Sequence, residues 1–299
     1  MHDALVVLRQ FSAATLPVLR NWLVLGVVFA VLARLFKTCN PGAPWWRKPD
    51  LATDLCFAVI PRLPIIYGQT AMLALGATAL YGIGDPKGVD TFLAHGRGPL
   101  AGLAFWQQVI LYLVGNDLVL YWTHRGLHTM RLWRFHAVHH SSEHLDWTSA
   151  SRSHPVDFLF HGVLADVTML LLGIPVEVLV WLAPWSVGSA SLAHANLDWD
   201  FGWFRYVVAS PVFHRWHHTS SDCGGSSNFA GAFPLFDLVF GTFYMPEGQR
   251  PDAYGVDEPD YPRGFLGQLA APFRRGRAGR MDQAASVVAD ADQTNEVAA

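Results

Sequence analysis

With 299 residues, 52% of them hydrophobic and only 15% charged, the chain lies well below the soluble norm of about a quarter charged residues and reads as a membrane protein. A formal net charge of -3 supplies no basic field, which excludes nucleic acid as a partner. Cys39, Cys56 and Cys223 are odd in number and far apart, with no CxxC pair, so a disulfide framework and a thiolate metal site are both excluded and a reducing compartment fits.

The N-terminus carries Asp3 and no basic stretch ahead of an apolar one, so no removable signal peptide is expected. A bilayer core of about 30 Å needs roughly 20 apolar helical residues. Residues 17–36 meet that length, with Arg20 and Arg34 near the ends where they can snorkel. Residues 55–81 form the next span, its start kinked or delayed by Pro61 and Pro64. Residues 100–122 are the clearest span. Residues 157–192 are too long for one straight crossing and are interrupted by Gly173, Pro175 and Pro184, which predicts a hairpin of two short helices. Arg34, Lys37, Arg47 and Lys48 follow the first span and Arg125, Arg131, Arg134 and Arg152 the third, so both loops are expected on the cytoplasmic side. After Tyr244 the chain turns rich in Pro, Gly and Asp, passes Arg274, Arg275, Arg277 and Arg280, and ends in a small, acidic stretch expected to be disordered. The division expected is 1–115 for N-terminal membrane helices, 116–244 for a catalytic unit and 245–299 for a tail.

Of the 14 histidines, 12 fall between His124 and His218. His124-Arg-Gly-Leu-His128 sets two imidazoles at i and i+4. His136-Ala-Val-His139-His140 sets three at i, i+3 and i+4, and His214-Arg-Trp-His217-His218 repeats that pattern. On a helix each set lies on one face. Neutral imidazole binds Zn, Cu, Fe and Ni, and eight imidazoles exceed the needs of one ion. Two ions of about four nitrogens each are the economical reading. Haem needs one imidazole per axial side and gives no reason for adjacent doublets. A zinc peptidase would show HExxH, which is absent. A histidine-rich transporter or store, or a non-redox metal-dependent lipid enzyme, stays open as the alternative. A transporter would place its ligands inside its spans, whereas these triplets follow the third span or the hairpin.

Residues 116–244 resemble the fatty acid hydroxylase and sterol desaturase superfamily. The likeness lies in Asp117-Leu-Val-Leu-Tyr121-Trp-Thr-His124 with His128, in Leu132-Trp-Arg-Phe-His136 with His139 and His140, in Ser151-Arg-Ser-His154-Pro155, in His194-Ala-Asn196, in the last triplet, and in Phe236-Asp237 with Gly241-Thr242. The resemblance implies an all-α integral membrane bundle of about four transmembrane helices or hairpins, with a cytosolic helical cap carrying a histidine-rich dimetal site. It also implies two iron ions, replaceable by zinc in purified protein, and hydroxylation or desaturation of a sterol, fatty acyl or related lipid with O2. No GxGxxG fingerprint or appended haem domain is present, so electrons are expected from a separate b-type cytochrome or a ferredoxin with its reductase.

The ligands the resemblance implies are His124, His128, His136, His139, His140, His214, His217 and His218, then His194 and His154. His144 and His161 are expected as bystanders. Asp117, Tyr121 and Asn196 are the other residues expected to serve the site. Asp117 shares a helical face with Tyr121, His124 and His128, and either fixes an imidazole tautomer or serves as a buried cap or a partner of Tyr121. Asn196, two residues after His194, is placed to orient that imidazole or to hold water. Arg152 is expected to pair with Asp146 or Asp157. Trp122, Trp133, Trp147, Trp199, Trp203 and Trp216 are expected to form an interfacial belt and site walls. Residues 222–231 are longer and richer in Gly and Ser than the family pattern, which bears on the shape of the substrate entrance.

Overall fold

The computed structural model describes residues 2–129, 131–258 and 260–274, with side chains from Arg9 onward except Thr129. The tail with Arg275, Arg277 and Arg280 lies outside the described residues. Among those described, every regular element is helical.

Helix α1 (His2–Leu35) begins earlier than the apolar run suggests and carries Pro17 inside it. Its outward face is apolar, with Leu23 71% exposed and Val24 and Val27 exposed beside it, as a lipid-facing surface would be. The second hydrophobic stretch splits into α2 (Leu51–Val59) and α3 (Arg62–Tyr81), because Pro61 supplies no N–H to continue α2 and instead caps α3. Gly82, at φ 67, ends α3 in the left-handed conformation. Helix α4 (Pro86–His95) is capped by Asp85, which accepts from Gly88 N.

Helix α5 (Phe105–Thr129) starts five residues after the expected third span and runs seven beyond it. Three helical stretches are long and apolar enough to cross a membrane, Arg9–Leu35, Arg62–Tyr81 and Val176–His194. Helix α5 has the length but not the apolarity, since Gln107, Gln108, Asn116, Asp117 and the first histidine pair lie within it. Helix α6 (Trp133–His140) follows and carries the first triplet.

The expected hairpin is present. Helix α7 (Pro155–Phe158) passes through a π-helical turn (Leu159–Val163) into α8 (Leu164–Leu171), and α9 (Val176–His194) returns. Gly173 makes the reversal at φ 106, where a Cβ would lie 2.8 Å from Ala101 N, so only glycine fits this turn. Two apolar cores hold the hairpin, one of Ile65, Leu73, Phe92, Val163, Val167 and Leu170, the other of Tyr112, Met169, Ile174, Val178 and Leu182. Asp166 of α8 adds polar bonds to α5, accepting from Tyr112 Oη at 2.6 Å and Asn116 Nδ2 at 3.0 Å. Helices α10 (Pro211–His217), α11 (Leu235–Val239) and α12 (Phe265–Ala270) complete the cap.

Residues before Phe105 are stitched to the cap. Trp147 stacks on Phe29 at 5.5 Å and meets Trp22 and Trp45. Arg152 pairs with Asp54 of α2 at 2.6 Å and with Asp50 at 3.3 Å, rather than with Asp146 or Asp157. Lys48 and Thr148 also reach Asp54, each at 2.6 Å. Burial acts to raise the Asp54 carboxyl, but Arg152 and Lys48 outweigh it and hold the group below its ordinary value.

Candidate metal centre

The hairpin returns α9 to the face that α5 and α6 end on, and α10 closes over them, so histidines distant in sequence converge. His124, His128, His136, His140 and His217 form one buried group, and His139, His194, His214 and His218 a second. Within each group the candidate ligand atoms lie within 4.8 Å of one another. Ser210 starts α10 by accepting from Phe213 N, with Pro211 in the first turn, and this fixes the phase at which the second triplet enters the site.

In the first group His124 Nε2 lies 3.0 Å from His136 Nε2, and His140 Nε2 lies 3.2 Å from it. In the second, His194 Nε2 lies 3.2 Å from His139 Nε2, 3.1 Å from His214 Nε2 and 3.2 Å from His218 Nε2. The far side of several rings shows why these nitrogens meet. Nδ1 of His124 faces Phe229 O at 2.8 Å, His139 faces Arg152 O at 3.0 Å, His194 faces Ala190 O at 2.8 Å and His217 faces Ser227 O at 2.7 Å. His136 Nδ1 faces Asp157 Oδ1 at 2.9 Å. An oxygen of this kind only accepts, so Nδ1 carries the proton and Nε2 presents a lone pair.

Protonation offers no escape, because burial first, and neighbouring imidazoles second, push His140, His214 and His218 well below the ordinary histidine value and His139 down to about 4. Bare lone pairs 3 Å apart repel unless a cation sits between them. Two nitrogens each about 2.1 Å from one ion and at right angles around it are about 3 Å apart. The donor set therefore fits a metal ion in each group. His128 agrees, since both of its ring nitrogens are buried without a hydrogen-bond partner.

The fatty acid hydroxylase pattern matches residues 109–242. An ornithine lipid hydroxylase from Rhizobium tropici is 36% identical over 255 residues, spanning 83% of this chain and 74% of that protein. The chain belongs to the fatty acid hydroxylase family. An alkylglycerol monooxygenase from Danio rerio is 31% identical over half of this chain and a third (33%) of its own length. Methylsterol monooxygenase 2-2 from Arabidopsis thaliana is 30% identical over 50% of this chain and 59% of its own. The chain thus spans less than two thirds of these latter two. No solved structure matches it. Family membership and the three apolar helices make it a membrane protein with a metal cofactor.

Against this family background, several expected site residues have other work. His154 joins neither group; it caps α7, its Nδ1 accepting from Val156 N at 3.1 Å. Asp117 is a loop clamp, accepting from Gly231 N, Ala232 N and Phe233 N at 2.8–3.0 Å, and no described bond takes it to an imidazole. Tyr121 Oη meets Thr242 Oγ1 at 2.9 Å and accepts from Arg125. Asn196 pairs both ends of its amide with the backbone of Asn40 instead of orienting His194. His144 is exposed, and His161 Nδ1 lies 2.9 Å from Thr123 Oγ1. The tryptophans divide: Trp122 and Trp203 are exposed, Trp147 and Trp216 buried, and Trp133 walls the site 5.0 Å from the His128 ring.

Sequence reasoning missed three residues that hold the frame. Asp157 orients His136. Asn228, at φ 58, donates to Phe213 O and Tyr244 O and accepts from Tyr244 N. Asp237 accepts from Phe229 N, Ala230 N and Thr242 Oγ1, and burial pushes its carboxyl up to about 6. Asn228 and Asp237 fix the Gly- and Ser-rich 222–231 stretch, which supplies the Ser227 and Phe229 carbonyls to His217 and His124. That stretch packs on the centre.

Proposed function

We propose that the chain is an iron-using, O2-dependent hydroxylase of membrane lipids, with His124, His128, His136, His140 and His217 holding one iron and His139, His194, His214 and His218 the other. The observation that carries this reading is the convergence of two sets of buried, lone-pair-bearing Nε2 atoms on adjacent points. An iron pair supplies the dioxygen chemistry needed to oxidise an unactivated C–H bond, which side-chain acid–base catalysis cannot do.

The reaction balances as one lipid C–H bond, one O2, two electrons and two protons giving one C–OH group and one water. The electrons come from a separate b-type cytochrome or ferredoxin system docking on the cap. The side chains keep the centre ready for this work. Backbone carbonyls and Asp157 hold protons on Nδ1, burial keeps the imidazoles neutral, and Trp133 and Phe229 close the walls against water. The lipid approaches along the apolar faces of α5 and α9, whose ends carry His124, His128 and His194. The basic loops after the first and third apolar stretches favour a cytoplasmic centre.

Acylated amino acids are the substrate class favoured by the Rhizobium tropici relative, whose name is ornithine lipid hydroxylase. Iron-loaded protein given a reductant and acylated ornithine will consume O2 and yield hydroxylated lipid. Tight zinc binding with no O2 consumption under any reductant would contradict the proposal.

A further inference from the structure

Helix α12 runs directly into a 3-10 turn (Ala271–Phe273), and the two together are built inside out. Leu266, Ala270 and Phe273, at i, i+4 and i+7, form an exposed stripe, Leu266 at 75% and Phe273 at 66%, whereas the polar Gln268 is buried with Pro272. A surface helix facing water shows the reverse, with its apolar stripe against the core. Leu23, on the outward apolar face of α1, is exposed to the same degree.

The segment also sits at the level of a membrane surface. Phe265 meets Phe57 of α2 at 4.8 Å. Helix α2 leads across Pro61 into α3, which is long and apolar enough to cross a membrane, so α2 and the segment packed on it lie at the end of that span. The exposed apolar stripe of α3, formed by Tyr67, Ala71 and Leu75, continues onto α2 through Ile60 and Leu55. Arg263 and Arg274 bracket the α12 stripe, both exposed, where long cationic side chains reach headgroups. Arg263 holds one solvent-facing contact, to Glu143 at 3.6 Å. A stable protein interface takes about 800 Å2 from each partner, far more than one side of so short a segment offers. A bilayer sets no such minimum, and it extends the lipid contact that α3 already makes.

We propose that Phe265–Phe273 is an in-plane membrane strap, with Leu266, Ala270 and Phe273 set among acyl chains at the bilayer surface and Arg263 and Arg274 among the headgroups. The proposal rests on the chain's membrane placement and not on the identity of the metal. The strap bears on the frame of the metal centre, because the Phe273 ring lies 5.7 Å from that of Phe135, beside His136, and 5.9 Å from that of His154, which caps α7. Lipid contact at the strap thereby seats α6, with His136, His139 and His140, against the membrane from which the substrate comes.

The test is photo-cross-linking of the full chain in nanodiscs of phosphatidylcholine and phosphatidylglycerol. A benzophenone amino acid replaces Leu266, Phe273 or, as the reference, Leu23, one position at a time, and the adducts are identified by mass spectrometry. Leu266 and Phe273 will give lipid adducts at a yield like that of Leu23. Lipid adducts at Leu23 with none at Leu266 and Phe273 would overturn the strap, as would adducts at the strap that join two copies of the chain or reach the chain's own tail. Loss of lipid adducts at Leu23 as well would refute the membrane placement on which the strap depends. No metal or turnover enters this assay, so strap adducts in a protein that never consumes O2 would uphold the strap and refute the oxidase reading.

Discussion

The five-histidine group takes His136 and His140 from α6 and only His217 from α10, whereas the four-histidine group takes His139 from α6, His214 from α10 and His218 from the residue that caps it. Helix geometry accounts for the exchange. Positions i and i+4 stand about 40° apart around the axis, and i+3 stands about 60° to the other side. Each triplet therefore sends its i, i+4 pair to one point and its i+3 member to the other, and two triplets facing each other complete two groups. The groups differ in what stands behind them. The larger group includes one ring held by a carboxylate, Asp157, and two held by carbonyls of the 222–231 stretch. In the smaller, two rings rest on the carbonyls of Arg152 and Ala190. Five nitrogens tolerate the loss of one better than four do.

Single ligand losses break or sharpen that contrast most strongly. If the proposed iron pair is correct, His214→Ala should release the metal of the four-histidine group, leaving about one iron per chain against two expected in wild type, and abolish turnover. His128→Ala should retain most of its iron, because four ligands remain. Metal analysis of both variants checks this, and equal losses would erase the distinction. His139→Ala, with unchanged iron content, would remove His139 from the ligand set.

Next in size is the support under His139. Asp54 is buried with Arg152 and Lys48, and Asp54→Ala leaves two cations without their carboxylate, a loss of about 3–5 kcal/mol. A large drop in the thermal midpoint is expected, with the four-histidine group losing metal first, since the Arg152 carbonyl holds His139. Asp157→Asn acts on the other group and should weaken its metal about 10–100-fold, with the four-histidine group unchanged. Metal titration that shows both groups weakened alike would contradict separate support.

The smallest effect is that of pH on metal-free protein. His139 is pushed down to about 4 by burial, against 6.5 for an exposed histidine, so the unfolded chain takes up the proton first as pH falls. This group's contribution to stability is complete above pH 6.5 and is lost between 6.5 and 4. His140, His214, His217 and His218 are depressed in the same direction, chiefly by burial. The thermal midpoint of stripped protein should fall through that window, and metal-loaded protein should start its fall at lower pH. Coincident profiles would count against these imidazoles as the metal's ligands.

The histidine spacing and the breaks at Pro61, Gly173 and Pro175 were legible because they are local signals: helical periodicity, missing donors and turn residues. What escaped depends on contacts between distant segments. Arg152 finds Asp54 98 positions away, and Asp117 clamps a loop 114 to 116 residues on. No spacing rule announces either pair. His154 was drawn toward the metal by its place in a family motif, yet Pro155 behind it makes it a helix cap. The start of α5 was misplaced because residues 100–103 are apolar but form turns, with Gln108 donating to the Leu100 carbonyl. Only the assembled loop shows Asn228 and Asp237 as its anchors.

The central claim is that the paired histidine groups oxidise a lipid with O2. Its most direct test is mass spectrometry of lipid recovered after iron-loaded, reduced protein reacts under isotopically labelled O2. One labelled oxygen atom per hydroxylated product is predicted. A product carrying only solvent oxygen, or no product from protein with both groups filled by iron, would contradict the account.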